Sequence, residues 1–433
     1  MKRIKFILLF TLSSTWCAFA QFGKCTPSET FSYKDNVSNK IITVLTDTTQ
    51  NDRYLYQTDP MWTSDSKYLI FRSSVRTNGK KTDKKALPTQ MFFIEMATGN
   101  IIQATDGNNL GNIYLAKKSN KMFISRKENE KWNMYVMDLD TFFKDVKNKS
   151  VKNSSYYTKF IGTFPDSMGK AGGFAVDCND KYAYITAERE GSEEEKELMN
   201  KKMFKAADNQ PIKIKPTLSR ICKMDLSTGE VFKVIDTDFK IGHIQTSRFT
   251  PAEIVFCNET GGDAHQRMWY CNGDSAVYRP LYNETPLDWV THETFASKDY
   301  VYFNILGFQS RLRKQASGVA RINIRTNDVE IVGQVELDQD RRAIENQLIG
   351  RGFWHCNASY DNRWAAGDTF GGNVWLIDVN SGERHIMATD TKMRPDHAHP
   401  SFSPDGKKLL FQSGHFTNGK RLNLMMIDID QEK

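Results

Sequence analysis

Residues 396–411 read DHAHPSFSPDGKKLLF, and the second half of this stretch is a unit that recurs along the chain. The unit is a polar turn followed by an apolar run, and its seven copies span 62–71, 116–125, 175–186, 247–257, 294–305, 357–368 and 401–411. A second apolar run follows each copy, as in MFFIEMATGN at 91–100. A small antiparallel sheet built from one such pair cannot bury both faces alone, so neighbouring copies must stack on it. We therefore predict an all-β fold, a seven-bladed β-propeller.

Closure of the ring is predicted to involve the N-terminal part of the chain. The last apolar run, NLMMIDID at 423–430, leaves no room for a final strand in the seventh sheet. The lone strand-like run NKIITVLTDT at 39–48 is the candidate that completes this sheet and covers its open edge. Residues 21–433 are thus predicted to form a single propeller domain. Two charged stretches, 192–208 and 338–350, interrupt the repeat and are predicted to be short helical insertions.

The first twenty residues have the pattern of a secretory signal peptide. Lys2, Arg3 and Lys5 precede a short apolar run, and Ala18 and Ala20 fit a small-x-small cleavage site before residue 21. This pattern predicts export, most simply to the periplasm of a Gram-negative bacterium. No other stretch is long and apolar enough to predict a membrane span. The sequence leaves the oligomeric state open.

Charge and cysteine content narrow the classes of partner. Without the three cationic residues of the signal segment, the formal net charge falls from +7 to +4, which suits an acidic ligand. No stripe of Lys and Arg with interleaved aromatic residues indicates nucleic-acid binding. The sequence contains no CxxC pair, so it does not predict a structural zinc site. Cys257 and Cys271 could form a disulfide across one hairpin, but spacing alone leaves the pairing open.

Histidines precede the polar turn in four consecutive predicted blades, numbers 4 to 7. They are His243, His292, His355 and the pair His397 and His399. Equivalent positions of successive blades lie at one height around the channel, so these side chains are predicted to meet at one mouth. If His397 and His399 lie on a strand, both point to the same face. Imidazoles gathered in a polar funnel are suited to holding a transition metal or moving protons. A structural role remains the alternative for any single one of them.

Four histidine-bearing segments, taken in order, resemble the oligogalacturonate lyase family. They are GHIQTSRFTPAEIVFCNE (242–259), THETFASKDYVYF (291–303), HCNASYDNRWAAGDT (355–369) and DHAHPSFSPDGKKLLFQS (396–413). The resemblance implies a seven-bladed propeller that binds a divalent metal, most simply Mn²⁺, and splits short pectin fragments by β-elimination. It implies an acidic oligosaccharide as substrate.

The resemblance also implies roles for individual residues. His243 would be the general base, and His292, His397 and His399 would be metal ligands. The family places a glutamine ligand where this chain has Arg394, and a guanidinium cannot bind a cation. Arg394 would then contact the substrate carboxylate, and His355 becomes a further candidate ligand.

Four other polar residues are candidate substrate contacts, namely Arg220, Gln245, Arg248 and Glu293, with a solvated surface role as the alternative. Two other functions stay open. The chain could be a lyase for a different uronate-containing glycan, which Arg394 favours, or a propeller that binds a glycan or scaffolds partners without catalysis.

Overall fold

Seven antiparallel sheets, the blades, follow one another along the chain as the repeated units predict. The chain is represented by a computed structural model that describes residues 22–76, 89–107, 110–201, 217–262, 264–285, 288–305, 318–334, 352–392 and 394–430. The first strands of neighbouring blades contact each other, so they line the centre of the ring, while later strands lie further out. The predicted seven-bladed β-propeller is confirmed.

The strands are numbered in chain order and are given blade by blade. Blade 1 contains β4 (Asp52–Arg53), β5 (Tyr68–Ser73), β6 (Gln90–Glu95) and β7 (Ile101–Gln103), with β1 (Cys25–Thr26) on its outer edge. Blade 2 contains β8 (Leu110–Leu115), β9 (Lys121–Glu128), β10 (Lys131–Asp138) and β11 (Thr158–Thr163). Blade 3 contains β12 (Lys170–Val176), β13 (Tyr182–Glu188), β14 (Ser219–Asp225) and β15 (Val231–Thr237). Blade 4 contains β16 (Ile241–Thr246), β17 (Glu253–Asn258), β18 (Met268–Asn272) and β19 (Val277–Pro280).

The last three blades carry the C-terminal half of the chain. Blade 5 contains β20 (Val290–Thr294), β21 (Tyr300–Ile305), β22 (Gly318–Asn323) and β23 (Val329–Gln334). Blade 6 contains β24 (Phe353–Ala358), β25 (Trp364–Thr369), β26 (Val374–Asp378) and β27 (Arg384–Ala388). Blade 7 contains β28 (Ser401–Phe402), β29 (Lys408–Ser413) and β30 (Asn423–Asp428), completed by β3 (Ile41–Val44) and β2 (Phe31–Lys34).

Closure of the ring follows the prediction. Strand β3 pairs antiparallel with β30, with Thr43 opposite Met426, so a segment from the N-terminal part of the chain completes blade 7. This pairing covers an edge that would otherwise present free backbone donors and acceptors.

The recurring polar turn has a common chemistry. In blade 7, the Ser403 hydroxyl donates to the Asp405 carboxylate and accepts the Lys408 N–H, while Gly406 has a positive φ of 68°. Blade 6 repeats this arrangement with Ser359 and Asp361. Short polar side chains thus satisfy the turn backbone, which is why Ser, Thr and Asp recur at these points.

The core lies mainly between blades, where apolar faces of adjacent sheets pack together. Clusters of buried residues join blades 2, 3 and 4, blades 4 and 5, blades 5 and 6, and blades 6 and 7. Stacking of neighbours therefore buries the faces that a single blade would expose.

Three short helices interrupt the sheets. Helix α1 (Leu139–Lys147) and helix α2 (Ser154–Tyr157) lie in the connection from β10 to β11, and neither was predicted. The Asp138 carboxylate caps α1 by accepting the Thr141 N–H, and Phe143 stacks on Tyr68 of blade 1. Helix α3 (Glu193–Lys201) falls within the predicted insertion at 192–208. The predicted helix at 338–350 lies outside the described residues.

The cysteines do not form the disulfide considered from the sequence. Cys257 lies opposite Met268 and Cys271 lies opposite Ile254, so the two thiols are out of register on neighbouring strands. Within the described ranges, no helix combines the length and the apolar content needed to cross a bilayer.

Candidate active site

Five imidazoles converge at one mouth of the central channel. His243, His292 and His355 lie on the first strands β16, β20 and β24 of blades 4, 5 and 6. His397 and His399 come just before β28 in blade 7, not on a strand as the sequence argument assumed. Their rings are nevertheless nearly parallel, with centroids 6.3 Å apart.

Local backbone geometry aims three of these side chains. His243, His292 and His399 have positive φ angles of 45°, 54° and 49°. The register of β16 and of β20 shifts at His243 and His292, so each histidine occupies a bulge in an innermost strand. Bulges bend a strand and redirect a side chain, and such left-handed non-glycine residues concentrate at functional sites.

His355 lies at the centre of the cluster. Its ring centroid is 4.0 Å from that of His399, 4.3 Å from that of His292 and 5.1 Å from that of His397. Burial is the main cause that lowers the pKa of His355 and His292 well below the ordinary value, and the neighbouring imidazoles add to it. Burial also lowers the pKa of His397 and His399. These rings are therefore neutral near pH 7, which is the form that binds metal.

Asp368 binds two members of this cluster, His355 and His399. This fully buried carboxylate on β25 accepts hydrogen bonds from the backbone N–H groups of His355 and His399, both at 2.9 Å. It also lies 3.1 Å from the ring atom Nδ1 of His355. A carboxylate in this position orients a metal-binding imidazole and fixes its tautomer. With Nδ1 directed at Asp368, His355 presents Nε2 to the cluster.

The donor set fits a divalent transition metal. The Nδ1 atoms of His292 and His397 are buried without a hydrogen-bond partner, which is costly unless a ligand satisfies them. Ligand atoms of His355, Asp368 and His397 lie within 4.8 Å of one another. Neutral imidazoles are common ligands of divalent transition metals.

His243 has its own carboxylate partner, Glu259, which directly follows the neighbouring strand β17. Its Nε2 lies 3.3 Å from Glu259 Oε2, and Arg267 lies 3.8 Å from the same oxygen. Burial raises the pKa of Glu259, but the hydrogen bond with His243 and the charge of Arg267 outweigh it and lower the pKa to about 2. Gly242 makes this approach possible, because a Cβ there would lie 2.8 Å from the Glu259 Cβ.

Tyr56 connects the two parts of the site. It belongs to an irregular segment of blade 1, and its ring centroid lies 5.1 Å from that of His243 and 5.3 Å from that of His399. Tyr56 and His243 line a cavity of about 370 Å³ at the channel mouth. Burial, together with the negative charge of Glu293, raises the pKa of Tyr56 well above its ordinary value, so the phenol stays protonated near neutral pH.

The predicted substrate contacts other than Arg394 already have partners within the fold. Arg220 sits on β14, an outer strand, and its guanidinium pairs with Asp236 at 2.6 Å. Gln245 is buried, and its amide donates to Glu293 O and accepts the Phe295 N–H. Arg248 follows the far end of β16 and lies over the Tyr360 ring. The Gln245 amide also donates to the His243 carbonyl at 3.4 Å, and the Glu293 carboxylate pairs with Arg267 at 2.8 Å. Because partners within the fold already engage these side chains, we do not retain them as substrate contacts.

Arg394 is exposed beside the cluster. Its positive charge contributes to the lowered pKa of His397, although burial is the larger cause. It is thus close enough to act on the cluster electrostatically while its side chain faces solvent.

Sequence reasoning missed Asp368, Glu259 and Tyr56. A carboxylate in the otherwise buried apolar run of β25 was the available signal for Asp368. For Glu259 and Tyr56, the sequence offers no comparable signal, because their proximity to His243 depends on strand register and on the irregular inner edge of blade 1.

The chain is similar to oligogalacturonate lyases in sequence and in fold. No protein-family model matches it. Over 212 residues it is 24% identical to the oligogalacturonate lyase of Dickeya dadantii (strain 3937), which covers 45% of this chain and 52% of that protein. A solved oligogalacturonate lyase in complex with manganese has a TM-score of 0.71 at 17% identity, covering 95% of this chain and 98% of that one. The oligogalacturonate lyase structure from Vibrio parahaemolyticus gives 0.71 at 16% identity, covering 95% and 99%.

The sequence match and the structural match cover different shares of the proteins. The chain spans about half the length of the curated relative that it matches. The structural similarity covers nearly the whole chain and establishes the seven-bladed propeller.

Proposed function

We propose that this protein is a lyase that cleaves short oligogalacturonides by metal-assisted β-elimination. The observation that carries the proposal is the convergence of five imidazoles at one channel mouth, with two buried ring nitrogens lacking partners. The similarity to oligogalacturonate lyases supports the substrate class.

The metal would be held by four neutral imidazoles, those of His292, His355, His397 and His399. We propose Mn²⁺, since a similar solved lyase is in complex with manganese. When bound, a divalent cation polarises the uronate carboxylate and stabilises the negative charge that develops as the C5 proton leaves. His355 takes the place of the glutamine ligand expected from the resemblance, and Asp368 orients its ring.

His243 would remove the C5 proton. Its Nε2–H donates to Glu259, so Nδ1 carries the lone pair that accepts the proton. Glu259 is ionised at neutral pH and stabilises the imidazolium that forms.

Tyr56 would supply the proton for the leaving group. As the C5–H bond breaks, a C4=C5 double bond forms and the C4–O4 bond breaks. The O4 oxygen then takes the Tyr56 hydroxyl proton, and the products are a 4,5-unsaturated uronide and a shortened sugar. The protonated phenol lies beside the base, which suits this role.

A direct assay tests the proposal. Purified protein is incubated with digalacturonate and trigalacturonate, with Mn²⁺ or with a chelator, and the conjugated product is followed by ultraviolet absorbance. We expect product with Mn²⁺ and none with the chelator. Absence of unsaturated product under every condition would reject the oligogalacturonide substrate.

Arg394 favours a second candidate substrate, another uronate-containing glycan. An exposed guanidinium beside the cluster can bind a carboxylate in a two-pronged hydrogen bond, and its placement could select a different uronide. A panel of uronate oligosaccharides in the same assay separates the two substrates. Binding without any unsaturated product would instead indicate a glycan-binding propeller.

We also propose export to the periplasm. Residues 1–20 combine a cationic start, a short apolar run and a small-x-small site, which supports cleavage before residue 21. N-terminal sequencing of the mature protein tests the cleavage, and an uncleaved, cytoplasmic product would contradict it.

A further inference from the structure

Arg72 is a cation without a counter-ion inside the channel mouth. It lies on β5 and lines the same cavity as Tyr56 and His243. Its Nε–H is buried without a hydrogen-bond partner, and its side chain forms no ion pair or hydrogen bond with any residue in the described part of the chain. Arg72 is partly exposed as a residue, but a buried donor without a partner on an unpaired cation is costly, and an anionic ligand would satisfy it.

Two other arginines, Arg76 and Arg267, have side chains that are 8% and 5% exposed, and both are paired. The Arg76 guanidinium lies 2.6 Å from both Glu29 and Asp52. Arg267 is similarly placed between Glu293 and Glu259 at 2.8 and 3.8 Å. The fold thus neutralises these guanidinium groups with two carboxylates each, and Arg72 is an exception.

A second arginine increases the positive charge at this point. Arg53 on β4 lies directly opposite Arg72, and like charges placed opposite each other destabilise a strand pair. The carboxyls of Asp396 and Asp59 act on Arg72 electrostatically, but neither forms an ion pair with it. Asp396 instead lies 3.7 Å from Arg53. Burial raises the pKa of Asp59 to about 6, which reduces its negative charge near neutral pH.

We propose that Arg72, supported by Arg53, binds the carboxylate of a uronate unit seated in the 370 Å³ cavity next to His243. The inference rests on the acidic oligosaccharide of the proposed function and assigns its recognition to a specific residue. A guanidinium binds a carboxylate through two parallel hydrogen bonds, which gives both affinity and orientation. The cavity is at the small end of the range for ligand pockets, roughly 300–1,000 Å³, and suits one or two sugar units.

The test compares an anionic sugar with its uncharged methyl ester. Binding of trigalacturonate and of its fully methyl-esterified form is measured by calorimetry in the presence of a chelator. Arg72→Met should weaken trigalacturonate binding about 10- to 100-fold, as expected for a lost charged hydrogen-bond pair, and leave the ester unaffected. Arg72→Lys should retain part of the preference for the acid. Arg363→Met, which removes an arginine stacked on Trp364 in the turn after β24, is the matched control and should change neither probe.

Thermal stability gives an independent readout. Since an unpaired cation destabilises the ligand-free fold, Arg72→Met should raise the Tm, by on the order of 2 °C. Unchanged trigalacturonate binding would overturn the inference, as would a lowered Tm with equal loss for both probes. Wild-type protein that fails to bind trigalacturonate would also overturn it. Binding that depends on Arg72 without unsaturated product in Mn²⁺ would reject the lyase function and leave this inference standing.

Discussion

Replacing Asp368 with asparagine should separate metal binding from folding at the histidine cluster. The two carboxylate oxygens accept different backbone donors, with Oδ1 bound to the His355 N–H and Oδ2 to the His399 N–H, both at 2.9 Å. In Asp368→Asn, an NH₂ group replaces one of these acceptors and therefore faces an amide N–H. One buried donor loses its partner whichever way the amide is turned.

The magnitude follows from these contacts. A buried N–H left without an acceptor costs about 1–3 kcal/mol of stability. Loss of the carboxylate behind His355 Nδ1 should in addition weaken Mn²⁺ binding about 10- to 100-fold, because such second partners fix the tautomer and orientation of the ligand. This corresponds to about 1.4–2.8 kcal/mol of binding free energy.

The assay is a calorimetric titration of Mn²⁺ into metal-free protein, with thermal unfolding followed in parallel. Asp361→Asn is the matched control, since Asp361 is an exposed aspartate in the turn of the same blade. We expect weaker Mn²⁺ binding and a lower Tm for Asp368→Asn alone. Wild-type Mn²⁺ affinity in Asp368→Asn would refute the orienting role, even if the Tm falls.

Three further predictions follow from the site and its surroundings. His243→Ala should slow elimination by at least about 100-fold with Mn²⁺ affinity within twofold of wild type, and normal turnover would reject it as the base. Tyr56→Phe should slow cleavage of trigalacturonate by about 100-fold, because the O4 leaving group then lacks its acid. A galacturonide with a nitrophenyl ether at O4 should be affected much less, because nitrophenolate leaves without protonation. Equal losses on both substrates would count against Tyr56 as the acid. Burial raises the pKa of Glu284 from 4.5 to about 8, so its stabilising contribution is present below pH 4.5 and is lost as the pH rises towards 8. The Tm of wild type should therefore fall more than that of Glu284→Gln across this range, and identical pH profiles would show that Glu284 does not titrate in this way.

The fold was predictable because its signal repeats. Each blade repeats the same alternation of polar turn and apolar strand, and the turn chemistry of Ser359 and Ser403 gives the repeat a physical cause. Assigning the seven repeats to seven blades then showed which histidines occupy equivalent positions in successive blades. Convergence of His243 and His399 from distant parts of the chain followed from that count.

Individual contacts were less predictable. Arg220 was a reasonable substrate contact by sequence position. In the fold, however, Asp236 lies opposite it on the neighbouring strand and accepts a hydrogen bond from its guanidinium. Gln245 lies two residues from His243, yet the bulge in β16 turns the two side chains to different surroundings. Such outcomes depend on strand register and on cross-strand partners, which a single sequence does not encode locally.

The pairing of β3 with β30 has a consequence for the order in which the protein acquires its structure. During synthesis, β3 emerges early and must wait for almost the entire chain before its partner exists. Until β3 and β30 pair, blade 7 is incomplete, and so is the sheet that follows the segment bearing His397 and His399. The histidine cluster should therefore reach its final geometry only late in folding, after β3 and β30, which lie far apart in the sequence, have paired.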